Sequence, residues 1–165
     1  MKTKSPTLTW WASEIRSVAM NDEQRKLVAL EYLKALDNGG VTSTGASIFD
    51  LFAPEAQVYF PKWGVAKGRA QIEKLFGDLG AKLKSIAHHY SGLNWIFSGG
   101  DTIVCEGTSQ GEHVDGPWNA GDPDWGAGRW CDVFEIRDGL IQRCFIYLDP
   151  DYAGQDTDRY PWIQK

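Results

Sequence analysis

The spacing of apolar residues along this chain changes near residue 86, from a helical period to a strand-like one. From Asn21 onward, Leu27, Leu30, Leu33 and Leu36 recur at helical spacing. Asn21 or Asp22 can cap this segment, acidic residues fill its first turn, and Asp37-Asn38-Gly39-Gly40 stops it. Upstream, Trp11, Ile15 and Val18 fall on one face of a short helix over residues 8 to 20. A stronger pattern follows Gly68, where Ile72, Leu75, Phe76, Leu79 and Leu83 form an amphipathic stripe that predicts a helix lying on a sheet. Between the two helices, Ile48 to Phe52 runs into Pro54, which biases Ala53 away from the α region, and Gln57-Val58-Tyr59-Phe60 reads as a short strand.

After residue 86, β-branched and aromatic residues alternate between Gly and Asp punctuation. The pattern predicts strands over Ile86–Phe97, Thr102–Gln110, Arg129–Ile136 and Leu140–Asp149, with turns at Ser98-Gly99-Gly100-Asp101 and Asp138-Gly139. Gly111 to Gly128 reads as a long loop carrying Trp118 and Trp125, of the kind that forms binding loops. The segment from Pro150 holds Tyr152, Tyr160 and Trp162, too aromatic to be fully solvated. Helices followed by consecutive antiparallel strands make an α+β fold, with helices on the concave side of a curved sheet. Such a sheet encloses a space, the general form of a small-molecule site.

Composition narrows the function. At 165 residues, 42% of them hydrophobic, the chain is expected to form a single domain over 1–165, its core at about 22–150 and an aromatic tail at 151–165. A net charge of -5 without a Lys/Arg cluster disfavours nucleic acid, and no apolar run approaches a membrane span, so a cytoplasmic protein is expected. Cys105, Cys131 and Cys144 are widely spaced and read as reduced, buried thiols. His113, Asp115, Asp122 and Asp124 match no zinc or EF-hand spacing, no Gly-rich phosphate loop is present, and no metal or other cofactor is expected.

The segments FDLFAPEAQVYFPKWGVAKGRAQIEKLF (Phe49–Phe76), His88-His89, SGGDTIVCEGT and RWCDVFEIRDGLIQRCFIYLD (Arg129–Asp149) resemble the SnoaL-like branch of the nuclear transport factor 2-like superfamily over roughly residues 22 to 150. The resemblance implies the α+β cone, a homodimer and a pocket between sheet and helices. It leaves activity open, because relatives include cyclases, isomerases, epoxide hydrolases, dehydratases and binding or scaffolding proteins.

Acid/base chemistry without a cofactor needs titratable groups in a dry pocket. Asp132 alternates with Trp130, Phe134 and Ile136, which places a carboxylate on an apolar strand face: either a functional group or a structural partner of Arg143. A two-residue hairpin at Asp138-Gly139 sets Phe145 beside Asp132, whereas a three-residue loop with bulged Gly139 sets Cys144 there and sends Arg143 to the other face; the second keeps the apolar face together. Adjacent His88 and His89 point to opposite faces of a regular strand, and parity with Leu93, Trp95 and Phe97 selects His89 for the pocket, where the resemblance also places a histidine. Glu106 is a second pocket carboxylate or a solvent-facing one, and Tyr59, Trp63, Trp95, Trp118 and Trp130 either surround a ligand or pack. Where the resemblance places an acidic residue of the cyclases in the last strand, this chain has Ile146, which argues against aldol cyclisation. Isomerisation, dehydration or water addition on a small apolar or cyclic molecule remains, beside two other readings: a binding module without turnover and a dimeric interaction domain.

Overall fold

A computed structural model describes residues 19–120 and 128–156. The segment around Trp11, Ile15 and Val18, the acids Asp122 and Asp124, Trp125, and the aromatic residues Tyr160 and Trp162 lie outside the described residues. Helix α1 spans Asp22–Asp37 and opens on a capping box: the Asn21 side chain accepts from the Gln24 N–H at 2.9 Å, and the Asn21 N–H donates to the Gln24 side chain at 2.9 Å. Its buried face is Arg25, Ala29, Tyr32 and Leu33, with Leu36 packed alongside. The leucine row does not define that face, and Leu27 is 65% exposed. Steps of three residues fall about 60° short of a full turn, so the row drifts around the helix.

A 3-10 turn at Ile48–Leu51, capped by Ser47, leads into strand β1, Phe52–Phe60. The strand starts five residues before the expected Gln57 because Pro54 lies where no ladder needs its missing N–H. Pairing with the neighbour on one side begins only at Gln57, and pairing on the other is irregular between Phe52 and Gln57. Strand β2, Gly64–Lys67, folds back on β1 and was not expected. Helix α2, Gly68–Gly80, buries Ile72, Leu75 and Leu79 as its stripe predicted, but Leu83 begins the next strand.

The remaining strands are β3 (Leu83–His88), β4 (Asn94–Phe97), β5 (Thr102–His113), β6 (Gly116–Asn119), β7 (Arg129–Arg137) and β8 (Leu140–Leu148). They form one curved, unclosed sheet in the order β2-β1-β8-β7-β5-β3, with β4 and β6 also on β5, antiparallel except for the β1–β8 pair. Long β5 carries two neighbours in succession, β4 on Ile103–Glu106 and β3 on Ser109–His113. The single strand expected over Ile86–Phe97 is therefore two strands, broken by a 3-10 turn at Tyr90–Gly92. Part of the expected long loop is the β5–β6 hairpin.

Both helices lie on the concave face. Tyr32 of α1 meets Phe52, Phe134 and Phe76 edge-on at 5.9, 5.6 and 6.3 Å, tying helix to sheet across the core. At the β7–β8 hairpin Arg137 opposes Leu140, with Asp138 and Gly139 at φ 53° and 77°, the left-handed values of a two-residue turn. The expected three-residue loop is thus corrected. The extra residue sits one step further on, between the Ile136–Ile141 and Glu135–Arg143 pairs. Ile146, rather than Cys144 or Phe145, comes to lie opposite Asp132.

Candidate active site

Between the helices and the concave sheet lies a cavity of about 770 Å³, large enough for a multi-ring molecule. Apolar side chains dominate its wall, among them Leu36, Phe49, Phe60, Phe76 and Leu79. Inward alternation on β7 places Trp130, Asp132, Phe134 and Ile136 on this side. Asp132 is 3% exposed, lines the cavity, and has no hydrogen-bond or ion-pair partner among the described residues. Arg143 is not its partner: it projects from the outer face, 3.8 Å from Glu135 and against the Phe145 ring. Burial without a compensating partner pushes the Asp132 carboxyl up to about 8. At neutral pH it is a protonated acid and a hydrogen-bond donor.

The second titratable group is His88, not the expected His89. The 3-10 turn after His89 breaks the parity that linked it to Leu93, Trp95 and Phe97. His89 instead lies outside the cavity wall, its ring 2.9 Å from the Thr108 hydroxyl and 3.4 Å from the Gln110 side chain. His88 lines the cavity, its side chain 5% exposed and its ring edge-on to Trp130 at 5.2 Å. Asp37, at the end of α1, meets His88 Nδ1 at 2.6 Å and accepts from the His88 backbone N–H at 3.0 Å and the Tyr90 hydroxyl at 2.7 Å. Burial alone would raise the Asp37 carboxyl, but the hydrogen bonds from His88 and Tyr90 outweigh it and hold it below its ordinary value. An ionised Asp37 only accepts, so the proton between them sits on His88 Nδ1 and the ring is held with Nε2 as its free edge.

The sequence model of the SnoaL-like domain matches residues 29–144. The chain belongs to the SnoaL-like family. Among solved structures, a candidate isomerase from Bacillus subtilis is similar at 18% identity and TM-score 0.61, covering 84% of this chain and 96% of its own. An NTF2-like protein from Anabaena variabilis matches at 18% and 0.61 over 81% and 95%, and a candidate polyketide cyclase from Sinorhizobium meliloti at 20% and 0.51 over 73% and 93%. No curated protein matches. At these identities the structural likeness establishes the fold, and the site must be read from this chain's own residues.

Of the aromatic and acidic groups expected around a ligand, the SnoaL-like fold gathers only Trp130 beside Asp132. Its indole lies across Gly107, where an added Cβ would come within 2.4 Å of the ring, so the glycine makes room for this wall. Tyr59 stands on the outer face against Phe145 and Tyr147, and Trp63 caps the β1–β2 hairpin against Phe60. Trp95 packs at the core margin beneath Lys26. Glu106 is exposed on the outer face, accepting from Asn94 at 2.9 Å, because its neighbours Cys105 and Ile103 take the inward positions. Trp118 is buried against Tyr152 and donates to the Ser109 hydroxyl at 3.2 Å; it stands behind these two cavity-lining residues and does not itself line the cavity. His113 pairs with Asp115 at 3.2 Å and stacks on Tyr152, and no three metal-ligating side chains cluster among the described residues. No described helix is long and apolar enough to cross a membrane.

The sequence reading passed over two residues. Tyr32 lines the cavity, and its buried hydroxyl lacks a hydrogen-bond partner among the described residues; it is near enough to Asp132 and Cys144 for both to act on its titration. The available signal was a phenol in an otherwise aliphatic helix face. The Trp130 indole N–H is likewise buried and unpartnered. Asp37 was read only as part of a helix stop, since nothing local links it to a histidine 51 residues away.

Proposed function

We propose that this SnoaL-like protein is a cofactor-free acid/base enzyme of the isomerase, dehydratase or hydrolase type, acting on a small, largely apolar, ring-containing substrate. One observation carries the reading: an unpaired, buried carboxyl open to an apolar cavity, a costly arrangement that packing alone would not require. For a ring ketone, His88 Nε2 takes the proton from the carbon next to the carbonyl, and the electron pair moves to the carbonyl oxygen. Asp132, still protonated, donates to that oxygen as charge grows there. Return of the proton from His88 to a different carbon of the conjugated system completes a double-bond shift with every atom accounted for. The unpartnered Tyr32 hydroxyl supports the same oxygen site. Ile146 opposite Asp132 leaves no second carboxyl there, which favours proton transfer over aldol cyclisation.

The test is deuterium exchange: conjugated ring ketones incubated with the protein in D2O, followed by proton NMR. Catalysed loss of the α-proton signal is expected, slowed about tenfold or more in His88→Gln. Tight binding of the same ketones with no exchange in either protein would favour the binding module instead.

The family expectation of a homodimer finds support on the outer sheet face. Val65, Tyr59, Phe145, Val133 and Tyr147 make an apolar patch there, with Tyr147 50% exposed. Tyr147→Glu is expected to convert a dimer to a monomer in sedimentation velocity; an unchanged sedimentation coefficient would remove this face as the interface.

A further inference from the structure

We infer that Gly77 and Gly80 set the size of the entrance to the Asp132 cavity, keeping a slot free for the edge of a flat, fused-ring ligand. The inference rests on the cavity being a ligand site and adds which residues select what enters. Glu73, Gly77 and Gly80 are all exposed, all line the cavity, and follow one another at i, i+4 and i+7, so they form one stripe along α2. Across the cavity, exposed Lys84 and Ser85 at the start of β3 make the facing rim.

Two ordinary reasons for a glycine fail at these positions. Neither has the positive φ that excludes side chains, and a Cβ added at either meets nothing within 4 Å, so neither accommodates a packed neighbour. Inside the helix, as at Gly77, glycine is also the less favourable choice than alanine. What the pair does is leave open the space beside the cavity. The second, independent pointer to a ligand is Asp132, more than nine-tenths buried, unpartnered and facing the same cavity. Walls of Phe49, Phe60, Phe76 and Trp130 suit a flat aromatic body, and the buried Asp132 carboxyl among them suits an oxygen substituent.

The experiment uses 2-naphthol, a fused-ring molecule with one oxygen, titrated into the 15N-labelled 165-residue chain. In the wild type, amide shifts are expected at Gly77, Gly80 and His88 and at the Trp130 indole. Affinity should fall stepwise through Gly77→Ala, Gly77→Leu and Gly77→Trp, reaching tenfold or more, with the same trend at Gly80→Leu. The melting temperature should hold or rise, since the new side chains meet open space and favour helix. Lys74→Leu, on the outer side of α2, should bind as the wild type does. Undiminished naphthol affinity in folded Gly77→Leu and Gly80→Leu would overturn the role of the glycines while leaving the cavity as a ligand site. Absence of any cavity shift at millimolar naphthol in the wild type would overturn both.

Discussion

Asp132→Asn should remove turnover and make the protein more stable. The carboxyl is a buried, unpartnered acid whose pKa is pushed to about 8, while in the unfolded chain it titrates near 4. Between those values the native state holds a proton that the unfolded state has released. Stability from this group is therefore fully present below about pH 4, declines as pH rises, and is lost by about pH 8. At pH 7 the cost to the wild type is on the order of 4 kcal/mol, from about three pH units at about 1.4 kcal/mol each. Asparagine does not titrate and avoids it.

The check is urea unfolding of both proteins from pH 4 to pH 9. Their stabilities should converge at the acid end and separate progressively toward pH 8, with the variant higher; parallel curves would show that Asp132 is not held protonated. In the deuterium-exchange assay the same variant should be slower by about 10²-fold or more, since an amide cannot deliver a proton to the developing oxyanion. Retained exchange would take the chemistry away from Asp132. A gain in stability together with a loss of activity is the outcome that separates a functional carboxyl from a structural one.

The second large effect concerns Arg25. It is 5% exposed, its Nε donates to the Ile136 carbonyl at 3.3 Å, and its guanidinium lies 3.0 Å from Asp101 and 3.4 Å from Asp22. One side chain thus fastens the first half of α1 to the end of β7 and to the β4–β5 turn. Arg25→Ala is expected to cost about 2–3 kcal/mol, through the lost packing of a long buried stem and an orphaned backbone carbonyl. Arg25→Met, which restores the stem but not the donors, should recover part of that in urea unfolding. Asp101→Asn should cost less, because Asp101 is partly solvated. A loss under about 0.5 kcal/mol in Arg25→Ala would mean that α1 is held by its aromatic contacts alone.

Periodicity and punctuation were enough for the α+β class and for the helices and last strands that frame the cavity. The α2 stripe, the helix stop at Asp37-Asn38-Gly39-Gly40 and the alternation of β7 are local patterns, each set by residues a few positions apart, and each is present in the fold. Alternation also placed Asp132 on the buried face, because a strand's two faces are fixed by parity as long as the strand is unbroken. That condition failed between His88 and Trp95. The 3-10 turn there answers to the pairing of β3 and β4 with separate halves of β5, a long-range arrangement that leaves no clear local mark, and it reversed the choice of histidine. In the same way the bulge in β8 set Ile146 opposite Asp132, and the register of outer-face residues removed Tyr59 and Glu106 from the site.

The sequence by itself thus determined the two helices and the strands β5, β7 and β8, the apolar faces of α2 and β7, and that a carboxyl must be buried at position 132. Tertiary structure alone decided what accompanies that carboxyl: Asp37 brought from the end of α1 to orient His88, and Tyr32 brought beneath the sheet with its hydroxyl unpaired. The physical reason is range. Burial and alternation are written in neighbouring residues, whereas the partners in a site meet only when segments dozens of residues apart are packed against one another.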